Sequence, residues 1–275
     1  MENMTFEIIA QDGTKLHGCK WDIENPSAVL CLVHGLGEHS GRYHHVADYL
    51  IKNQISVYAF DLRGHGLSRG KRGHTPNHDM LLDDVEDLLK VVRVEHNDIP
   101  IILFGHSFGG NIVANYLLKR NTNEIACGIL SSPWLKLAIT PPAMKVKLAK
   151  MMVKVFPSYS ESNGLDTNFL TKDPIVNKAY EDDPLVHTRA SARLFLDSFE
   201  AGEWAITYAA DLKIPVLLYH GDDDHITSAE GSREFHTNAP DLTTLKIWPG
   251  VRHEPHNDLE QGEVLEFLIG WLKSR

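Results

Sequence analysis

The group best placed for covalent chemistry in this sequence is Ser107, in a Gly-x-Ser-x-Gly segment at residues 105–109. An apolar run at residues 101–104 precedes it, and a helix-like sequence at residues 111–120 follows it. A strand, a sharp turn and a helix in this order hold the serine in a strained conformation, for which the flanking glycines leave room. The start of the helix also offers free N–H groups to a developing negative charge. The pattern predicts a nucleophile; the alternative is a serine that only caps the helix.

A histidine must take the proton from such a serine, because a hydroxyl is a poor nucleophile at neutral pH. In a parallel sheet the functional groups come from loops at the carboxyl ends of strands, in the chain order serine, acid, histidine. Among the 16 histidines this order favours His253, which lies past a Pro-Gly turn in the loop at residues 248–256. The alternative is that His253 is merely packed, with the nearby His256 capping the last helix or lying at the surface.

The acid is expected in the loop at residues 219–225, which follows a buried-strand pattern and contains three adjacent aspartates. Three adjacent like charges cannot all point into one site. The residue types alone leave Asp222, Asp223 and Asp224 as alternatives. One of them is expected to meet His253, and the others to face solvent or to cap the next helix.

An oxyanion hole needs backbone N–H donors beside the serine. The amide of Phe108, at the helix start, is one expected donor. The other is expected from the glycine-rich loop at residues 34–39, which follows an apolar run at residues 28–33. Glycines on both sides of Leu36 let the backbone approach a ligand closely, so the amide of Leu36 is the expected second donor.

The order of the elements predicts an α/β fold with a mostly parallel, doubly wound sheet. Residues 5–10 and 15–22 have the pattern of a hairpin joined by an Asp-Gly turn. Further strands are expected at residues 28–33, 56–60, 101–104, 125–130, 215–219 and 244–248, and helices at residues 42–52, 79–96, 111–120, 228–238 and 259–273. The alternation breaks at residues 133–211, which are expected to form a mainly helical insertion within a single domain of residues 1–275.

The insertion contains a helical sequence at residues 143–156, bounded by prolines. At 100° per residue Lys147, Lys150 and Lys154 lie on one stripe, while Met, Leu, Val and Phe occupy most of the remaining surface. Such a helix either lies on a lipid surface, with its lysines at anionic headgroups, or packs on the core with its lysines in solvent. The pattern leaves both arrangements open.

Composition excludes several classes of protein. The 275 residues, 43% of them hydrophobic and 23% charged, suit one large globular α/β domain. The chain has 27 Lys and Arg residues and 37 Asp and Glu residues, which gives a formal charge of −10. Binding to nucleic acid and a general attraction to anionic membranes are therefore not expected.

The cysteines, the histidine and aspartate spacing and the N-terminal sequence predict where the protein is located and whether it binds a metal. The three cysteines fall in predicted strands and are expected to be buried thiols. Because no histidine or aspartate group has a familiar ligand spacing, no metal and no cofactor is expected. The start lacks an export signal and no apolar run approaches ~18 residues, which predicts a cytoplasmic protein.

Several segments resemble the monoacylglycerol lipase and lysophospholipase group of the α/β-hydrolases. The most specific is His-Gly-Leu-Gly-Glu-His-Ser-Gly-Arg-Tyr at residues 34–43. Similar to that group are also residues 61–68 (Asp-Leu-Arg-Gly-His-Gly-Leu-Ser), 105–110, 183–186, 221–224 and 250–253. The likeness therefore covers essentially the whole chain.

The resemblance implies an α/β-hydrolase fold with Ser107 as nucleophile, Asp224 as acid and His253 as base. It implies that the amides of Leu36 and Phe108 form the oxyanion hole. The insertion becomes a cap whose apolar helix admits lipid. The cap residues expected to meet the substrate are Met144, Leu148, Met151 and Met152. Phe108 stands where the group often has methionine, so its ring is expected to narrow the acyl tunnel.

The leading hypothesis is a cofactor-free serine esterase that cleaves a monoacylglycerol or a similar single-acyl ester. Transient contact between its cap and a membrane surface is a second, separate hypothesis. Alternatives are a lysophospholipase, a short-chain carboxylesterase and a non-catalytic binding module on a hydrolase fold. An aminopeptidase would need a cap acid, such as Glu161, Glu181 or Asp182, to hold a substrate amine. The oligomeric state is not indicated.

Overall fold

The computed structural model describes residues 3–275, in which ten strands form. The strands are β1 (Met4–Ile9), β2 (Lys15–Trp21), β3 (Ala28–Val33), β4 (Ile55–Phe60), β5 (Ile101–His106), β6 (Ile125–Ser131), β7 (Ser160–Ser162), β8 (Arg189–Ser191), β9 (Val216–Gly221) and β10 (Thr243–Trp248). Eight of them build one sheet in the order β1-β2-β4-β3-β5-β6-β9-β10. β2 is antiparallel to both of its neighbours, and every other pair in this sheet is parallel.

The central strands are buried because helices cover both faces of the sheet. Every residue of β4, β5 and β9 is buried, which explains why these strands are apolar without alternation. β1 lies at the sheet edge and is mostly exposed. It turns into β2 through Gly13, whose φ of 82° suits a residue without a side chain.

Eight α-helices form within the described residues. They are α1 (His44–Lys52), α2 (Asp79–Glu95), α3 (Phe108–Lys119), α4 (Ala143–Val155), α5 (Pro174–Asp182), α6 (Ala192–Thr207), α7 (Ala229–Asn238) and α8 (Gln261–Lys273). The core cluster on one face of the sheet includes residues of α2, α3 and α7, and the cluster on the other face includes residues of α1 and α8. The predicted α/β class and the mostly parallel, doubly wound sheet are confirmed.

The segment between β6 and β9 contains α4, α5, α6 and the separate β7–β8 ladder. Its firmest attachment is α6, which packs on α3 and α4 and begins where the Ser191 side chain accepts the amide of Leu194. α4 has no buried residue. The short β7–β8 ladder was not apparent from sequence, because its six residues lack an apolar pattern.

Two smaller expectations concern thiols and membrane spans. Cys19, Cys31 and Cys127 are buried and unpaired. Burial raises the pKa of Cys31 to about 12, so this thiol stays protonated. Among residues 3–275, no helix combines the length and apolarity that crossing a bilayer requires.

Candidate active site

Ser107 occupies the sharp turn between β5 and α3. Its φ of 54° and ψ of −114° are a strained combination for a residue with a side chain. A Cβ on Gly109 would lie 2.1 Å from the carbonyl oxygen of Val33, and one on Gly105 would lie 2.3 Å from that of Gly109. Both glycines are therefore required. The Ser107 side chain makes no capping hydrogen bond to α3, contrary to the alternative that it serves only as a cap.

His253 lies in the loop after β10, with its ring against Ser107. Its Nε2 is 2.9 Å from Ser107 Oγ, and its Nδ1 is 2.7 Å from Asp224 Oδ2. A neutral imidazole that donates from Nδ1 to the carboxylate has a free lone pair at Nε2. The arrangement can therefore remove the serine proton, in the expected chain order of serine, acid and histidine.

His256, the second histidine of this loop, is neither a helix cap nor a surface residue. Its ring is buried and stacks on Tyr43 at a centroid distance of 4.9 Å. Its backbone carbonyl lies 2.8 Å from Nε2 of His45, so His256 also joins the loop to α1. It packs beneath the site, and the alternative stated for it from sequence is wrong.

Asp224 is held by five hydrogen-bond donors. Its Oδ1 accepts the amides of Ile226 and Thr227 at 2.8 and 3.0 Å. Its Oδ2 lies near His253, near Nε2 of His220 at 3.0 Å and near the Thr227 hydroxyl at 2.8 Å. His220 and Thr227 were not predicted from sequence, because the only signal for them was their place within four residues of Asp224.

The other two aspartates of this loop stay at its outer side. Asp222 Oδ1 accepts the amide of Gly250 at 2.6 Å and so ties the two functional loops together. Asp223 lies 3.1 Å from His225 and 3.5 Å from Arg252, at the surface. Geometry therefore brings only Asp224, of the three candidates, to His253.

The electrostatics of the His253–Asp224 pair favour its charged forms. Burial alone would lower the pKa of His253, but the Asp224 carboxylate outweighs burial and raises it above 6.5. Burial alone would raise the pKa of Asp224, but His253 and His220 hold it well below its ordinary range. Asp224 is therefore ionised at neutral pH and stabilises a protonated His253.

His106, directly before Ser107, is a second buried imidazole beside the site. Its ring centroid is 4.9 Å from that of His253. Burial and the neighbouring His253 lower the pKa of His106 to about 3. Its Nδ1 is 3.2 Å from the Ser131 carbonyl oxygen and so carries the proton. His106 is a neutral wall of the site at physiological pH.

Two backbone amides beside Ser107 are free to bind an anion. The Gly35 backbone lies against the serine, since a Cβ there would be 3.4 Å from Ser107 Cβ. The Gly35 amide donates to Glu38 Oε1 at 2.6 Å, whereas the next amide, that of Leu36, has no acceptor within residues 3–275. The amide of Phe108, first in α3, is likewise without a partner in that range. These two donors have the chemistry of an oxyanion hole.

The Phe108 ring does not lie where the sequence analysis expected it. The ring is fully buried, with centroids 6.5 Å from His65 and 6.1 Å from Trp134, and belongs to the core cluster. Phe108 is not among the described residues that line the cavity beside Ser107. The expectation that this ring narrows the acyl tunnel is therefore wrong, because the start of α3 turns it into the core.

A buried ionic cluster stands at the polar end of the site. Arg42 binds both oxygens of Glu254 at 2.8 Å and donates to Glu38 Oε2 at 2.6 Å, while the ring of Tyr180 lies 4.6 Å from its Cζ. Burial alone would raise the pKa of Glu254, but Arg42 holds it well below its ordinary range. Arg42 thus joins the two acidic side chains that stand at this end of the site.

The cavity beside Ser107 has a volume of about 690 Å³ and is lined in part by residues of the segment between β6 and β9. Leu148 and Met152 of α4 line it, as do Trp134 and Phe195. These side chains make an apolar chamber that leads to the serine.

Met144 and Met151 do not line this cavity, in contrast to the expectation from sequence. Their exposed fractions are 74% and 57%, because α4 turns this stripe toward solvent. Leu148, half exposed, lies between the two faces. A helical pattern alone did not reveal which side of α4 faces the chamber.

A sheet in this order, with a serine on the turn after its fifth strand and a histidine after its last, defines an α/β-hydrolase. The sequence matches the family described as serine aminopeptidase, S33, over residues 24–260. A monoacylglycerol lipase of Mycolicibacterium smegmatis is 36% identical over 252 residues, which cover 91% of this chain and 89% of that protein. The crystal structure of Paleococcus ferrophilus monoacylglycerol lipase is 38% identical, with a TM-score of 0.85 over 94% of this chain and 98% of that one.

The chain therefore belongs to the S33 family of α/β-hydrolases, within its monoacylglycerol lipase-like group, and the resemblance seen in the sequence is confirmed. It is a hydrolase of the lipase and esterase type. An uncharacterised abhydrolase domain-containing protein of Dictyostelium discoideum is also 36% identical, over 278 residues. That match covers all of this chain but only 29% of the relative's length.

Proposed function

We propose that this protein is a serine esterase that hydrolyses monoacylglycerols, or similar single-acyl esters, to a fatty acid and an alcohol. Ser107 attacks the ester carbonyl while His253 takes its proton and passes it to the leaving alcohol. A water molecule, deprotonated by His253, then attacks the acyl-enzyme, and the proton returns to Ser107 as the fatty acid leaves. Asp224 fixes the tautomer of His253 and stabilises its charged form.

The observation that carries this proposal is the 2.9 Å approach of His253 Nε2 to Ser107 Oγ beside an apolar chamber. The amides of Leu36 and Phe108 would stabilise the tetrahedral oxyanion. The apolar side chains that line the chamber suit a single acyl chain. The monoacylglycerol lipases among the relatives support the same substrate class.

We propose that residues 133–211 act as a cap on this chamber. The segment contributes Leu148 and Met152 of α4 and Phe195 of α6 to the wall of the chamber. A cap that closes an apolar chamber excludes water from the acyl chain and gives selectivity for its length.

A hydrolysis panel tests the proposal. We expect turnover of 1-monoacylglycerols and of p-nitrophenyl esters, and a preference for medium or long acyl chains. Preference for lysophosphatidylcholine would indicate a lysophospholipase, and preference for acetate or butyrate a short-chain carboxylesterase. Turnover of aminoacyl p-nitroanilides alone would indicate an aminopeptidase, and no turnover at all a binding module.

Among the acids considered for an aminopeptidase, only Glu161 lines the chamber. Glu181 accepts the hydroxyl of Thr167 at 2.6 Å. Asp182 forms an ion pair with Lys178 within α5. Two of the three acids therefore have partners within the cap, and the side chains support binding of a substrate amine less well than hydrolysis of an ester.

We propose further that the protein touches membranes through the outer face of α4. Met144, Leu148, Met151 and Val155 are all more than half exposed and fall on one stripe of the helix. Their apolar surface suits insertion among acyl chains, and flanking lysines suit anionic headgroups. Lys150 instead pairs with Glu200 of α6 at 3.0 Å, so only Lys147 and Lys154 of the predicted stripe are available.

Co-sedimentation with vesicles of phosphatidylcholine and phosphatidylglycerol tests this contact. We expect Met151→Asp, or Lys147→Glu with Lys154→Glu, to reduce binding while hydrolysis of a soluble p-nitrophenyl ester stays unchanged. Lys150→Glu is the matched control for charge on the same helix. Binding that survives both changes would contradict the membrane contact.

A further inference from the structure

A turn in the inserted segment, residues 183–187, holds the loop that carries Leu36. The amide of His187 donates to the carbonyl oxygen of Gly37 at 2.8 Å. Asp183 Oδ2 lies 2.8 Å from Nε2 of His39. Because the Gly41 amide donates to Nδ1 of His39 at 3.2 Å, the proton of His39 is on Nε2 and is donated to Asp183.

Further hydrogen bonds, within the 183–187 turn and to Gly64 and Arg189, stiffen it. Asp183 Oδ1 accepts the amide of Leu185 at 2.8 Å. Nδ1 of His187 accepts the amide of Arg189 at 3.1 Å, and Nε2 donates to the carbonyl oxygen of Gly64 at 3.1 Å. Burial lowers the pKa of His187 to about 4, which keeps this ring in the neutral form that both bonds require at pH 7.

The contact between the turn and the loop leaves no free space. Gly37 has a φ of 84°, and a Cβ there would lie 2.3 Å from the carbonyl oxygen of His187. On the other side of Leu36, the Gly35 amide is fixed by Glu38. The residue before Leu36 is thus held by the buried carboxylate of Glu38, and the residue after it is held by the 183–187 turn.

We propose that Asp183 and His187 are positioning residues for the oxyanion hole, and that they fix the Leu36 amide from the cap side. The inference rests on the proposed role of Leu36 as an oxyanion donor. Such a donor acts only when it lies about 2.7–3.1 Å from the oxyanion, and a displacement of ~1 Å can lower the rate by ~100-fold. Losing the 183–187 contacts therefore weakens binding of the transition state more than binding of the substrate.

The test compares Asp183→Ala with Asp182→Ala. Asp182 is the adjacent, exposed residue, and its ion pair stays within α5, so its variant should resemble the wild type. For Asp183→Ala we expect kcat for p-nitrophenyl butyrate to fall by ~10- to 100-fold, with KM within about twofold. Affinity for an alkyl trifluoromethyl ketone, which forms an oxyanion in the site, should fall by the same factor as kcat/KM.

A second pair of variants keeps the test decisive if Asp183→Ala does not fold. His39→Gln retains a side-chain N–H donor for Asp183, whereas His39→Ala does not. We expect His39→Ala to lose kcat and His39→Gln to recover most of it, with kcat counted per site titrated by a fluorophosphonate so that unfolded protein does not contribute.

Three results would overturn the inference: an Asp183→Ala variant with the kcat of Asp182→Ala, a rise in KM without loss of kcat, or equal behaviour of His39→Ala and His39→Gln. A wild-type protein that neither hydrolyses esters nor reacts with the fluorophosphonate would instead contradict the proposed function.

Discussion

His220 and His253 share one carboxylate oxygen: Nε2 of His220 and Nδ1 of His253 lie 3.0 and 2.7 Å from Oδ2 of Asp224. The other oxygen of Asp224 is held by two backbone amides. An acceptor fixed on both sides cannot rotate, so it sets the ring orientation and the tautomer of His253. His220 in turn is oriented by the hydroxyl of Ser232, 2.8 Å from its Nδ1.

The first prediction concerns Asp224. We expect Asp224→Asn to lower kcat by roughly 10⁴-fold, because an amide at this position favours the wrong tautomer of His253. Asp223→Asn removes a neighbouring surface carboxylate and should leave kcat within about twofold. Steady-state hydrolysis of a p-nitrophenyl ester measures both, and equal effects would show that Asp224 has no special role.

The second prediction is an acid limb in the pH profile. Because Asp224 raises the pKa of His253 above 6.5, kcat/KM should fall with acidification around a midpoint above 6.5. In Asp224→Asn this midpoint should move to lower pH. For stability the sign is opposite to that of activity: the contribution of His253 is complete below pH 6.5 and is lost as pH rises through its raised pKa. A wild-type midpoint at or below 6.5 would contradict the assignment.

The third prediction concerns His220. We expect His220→Leu to lower the free energy of unfolding by ~1–3 kcal/mol, because the Ser232 hydroxyl loses its buried partner. Its kcat should fall by a smaller factor than in Asp224→Asn, since His253 keeps its acceptor. Urea denaturation and ester hydrolysis measure the two effects. His225→Leu, at an exposed histidine of the same loop, is the control for the free energy of unfolding.

The fourth prediction concerns the buried ionic cluster. Arg42→Leu leaves Glu38 and Glu254 without their cation, so we expect the free energy of unfolding at pH 7 to fall by ~3–5 kcal/mol. In the wild type, Glu254 contributes stability above pH 4.5, and this is lost as pH falls through its depressed pKa. This wild-type contribution is constant between pH 7 and pH 5. In Arg42→Leu, burial without the cation raises the pKa of Glu254, so this carboxyl takes up a proton on acidification, and the gap between variant and wild type should narrow between pH 7 and pH 5 in urea titrations. A gap that is the same at both pH values would argue against buried charge as its cause.

The fifth prediction separates the two faces of α4. Met152→Trp fills the chamber and should lower the ratio of kcat/KM for p-nitrophenyl laurate to that for the butyrate by ~10-fold or more. Met151→Trp makes the same change one residue away, on the exposed face, and should leave the ratio within about twofold. If both variants change the ratio equally, α4 does not form the wall of the acyl site.

Local sequence was sufficient to predict the sheet and the nucleophile turn. The strand predicted at residues 28–33 is β3 to the residue, because an apolar run buried on both faces has few alternatives. Ser107 was recognisable because its turn demands glycines at fixed positions. Chain order and loop position then led to His253.

Contacts between distant segments were beyond prediction. The residue types left three aspartates as candidates for the acid, and the resemblance to the monoacylglycerol lipase group, rather than physical reasoning, selected Asp224. The bond between His39 and Asp183 joins residues 144 positions apart, and that between Arg42 and Glu254 joins residues 212 apart. The facing side of α4 was misjudged in part because helical periodicity identifies stripes but does not reveal what each stripe faces.

The central claim is that Ser107 carries the acyl group, and identifying the residue modified by a fluorophosphonate tests it most directly. We predict one adduct per chain, located on Ser107 by peptide mass spectrometry, and no adduct in Ser107→Ala, whose ester hydrolysis should fall by at least ~10⁴-fold. An adduct on another residue, or a Ser107→Ala variant that hydrolyses esters at a near-normal rate, would contradict the account.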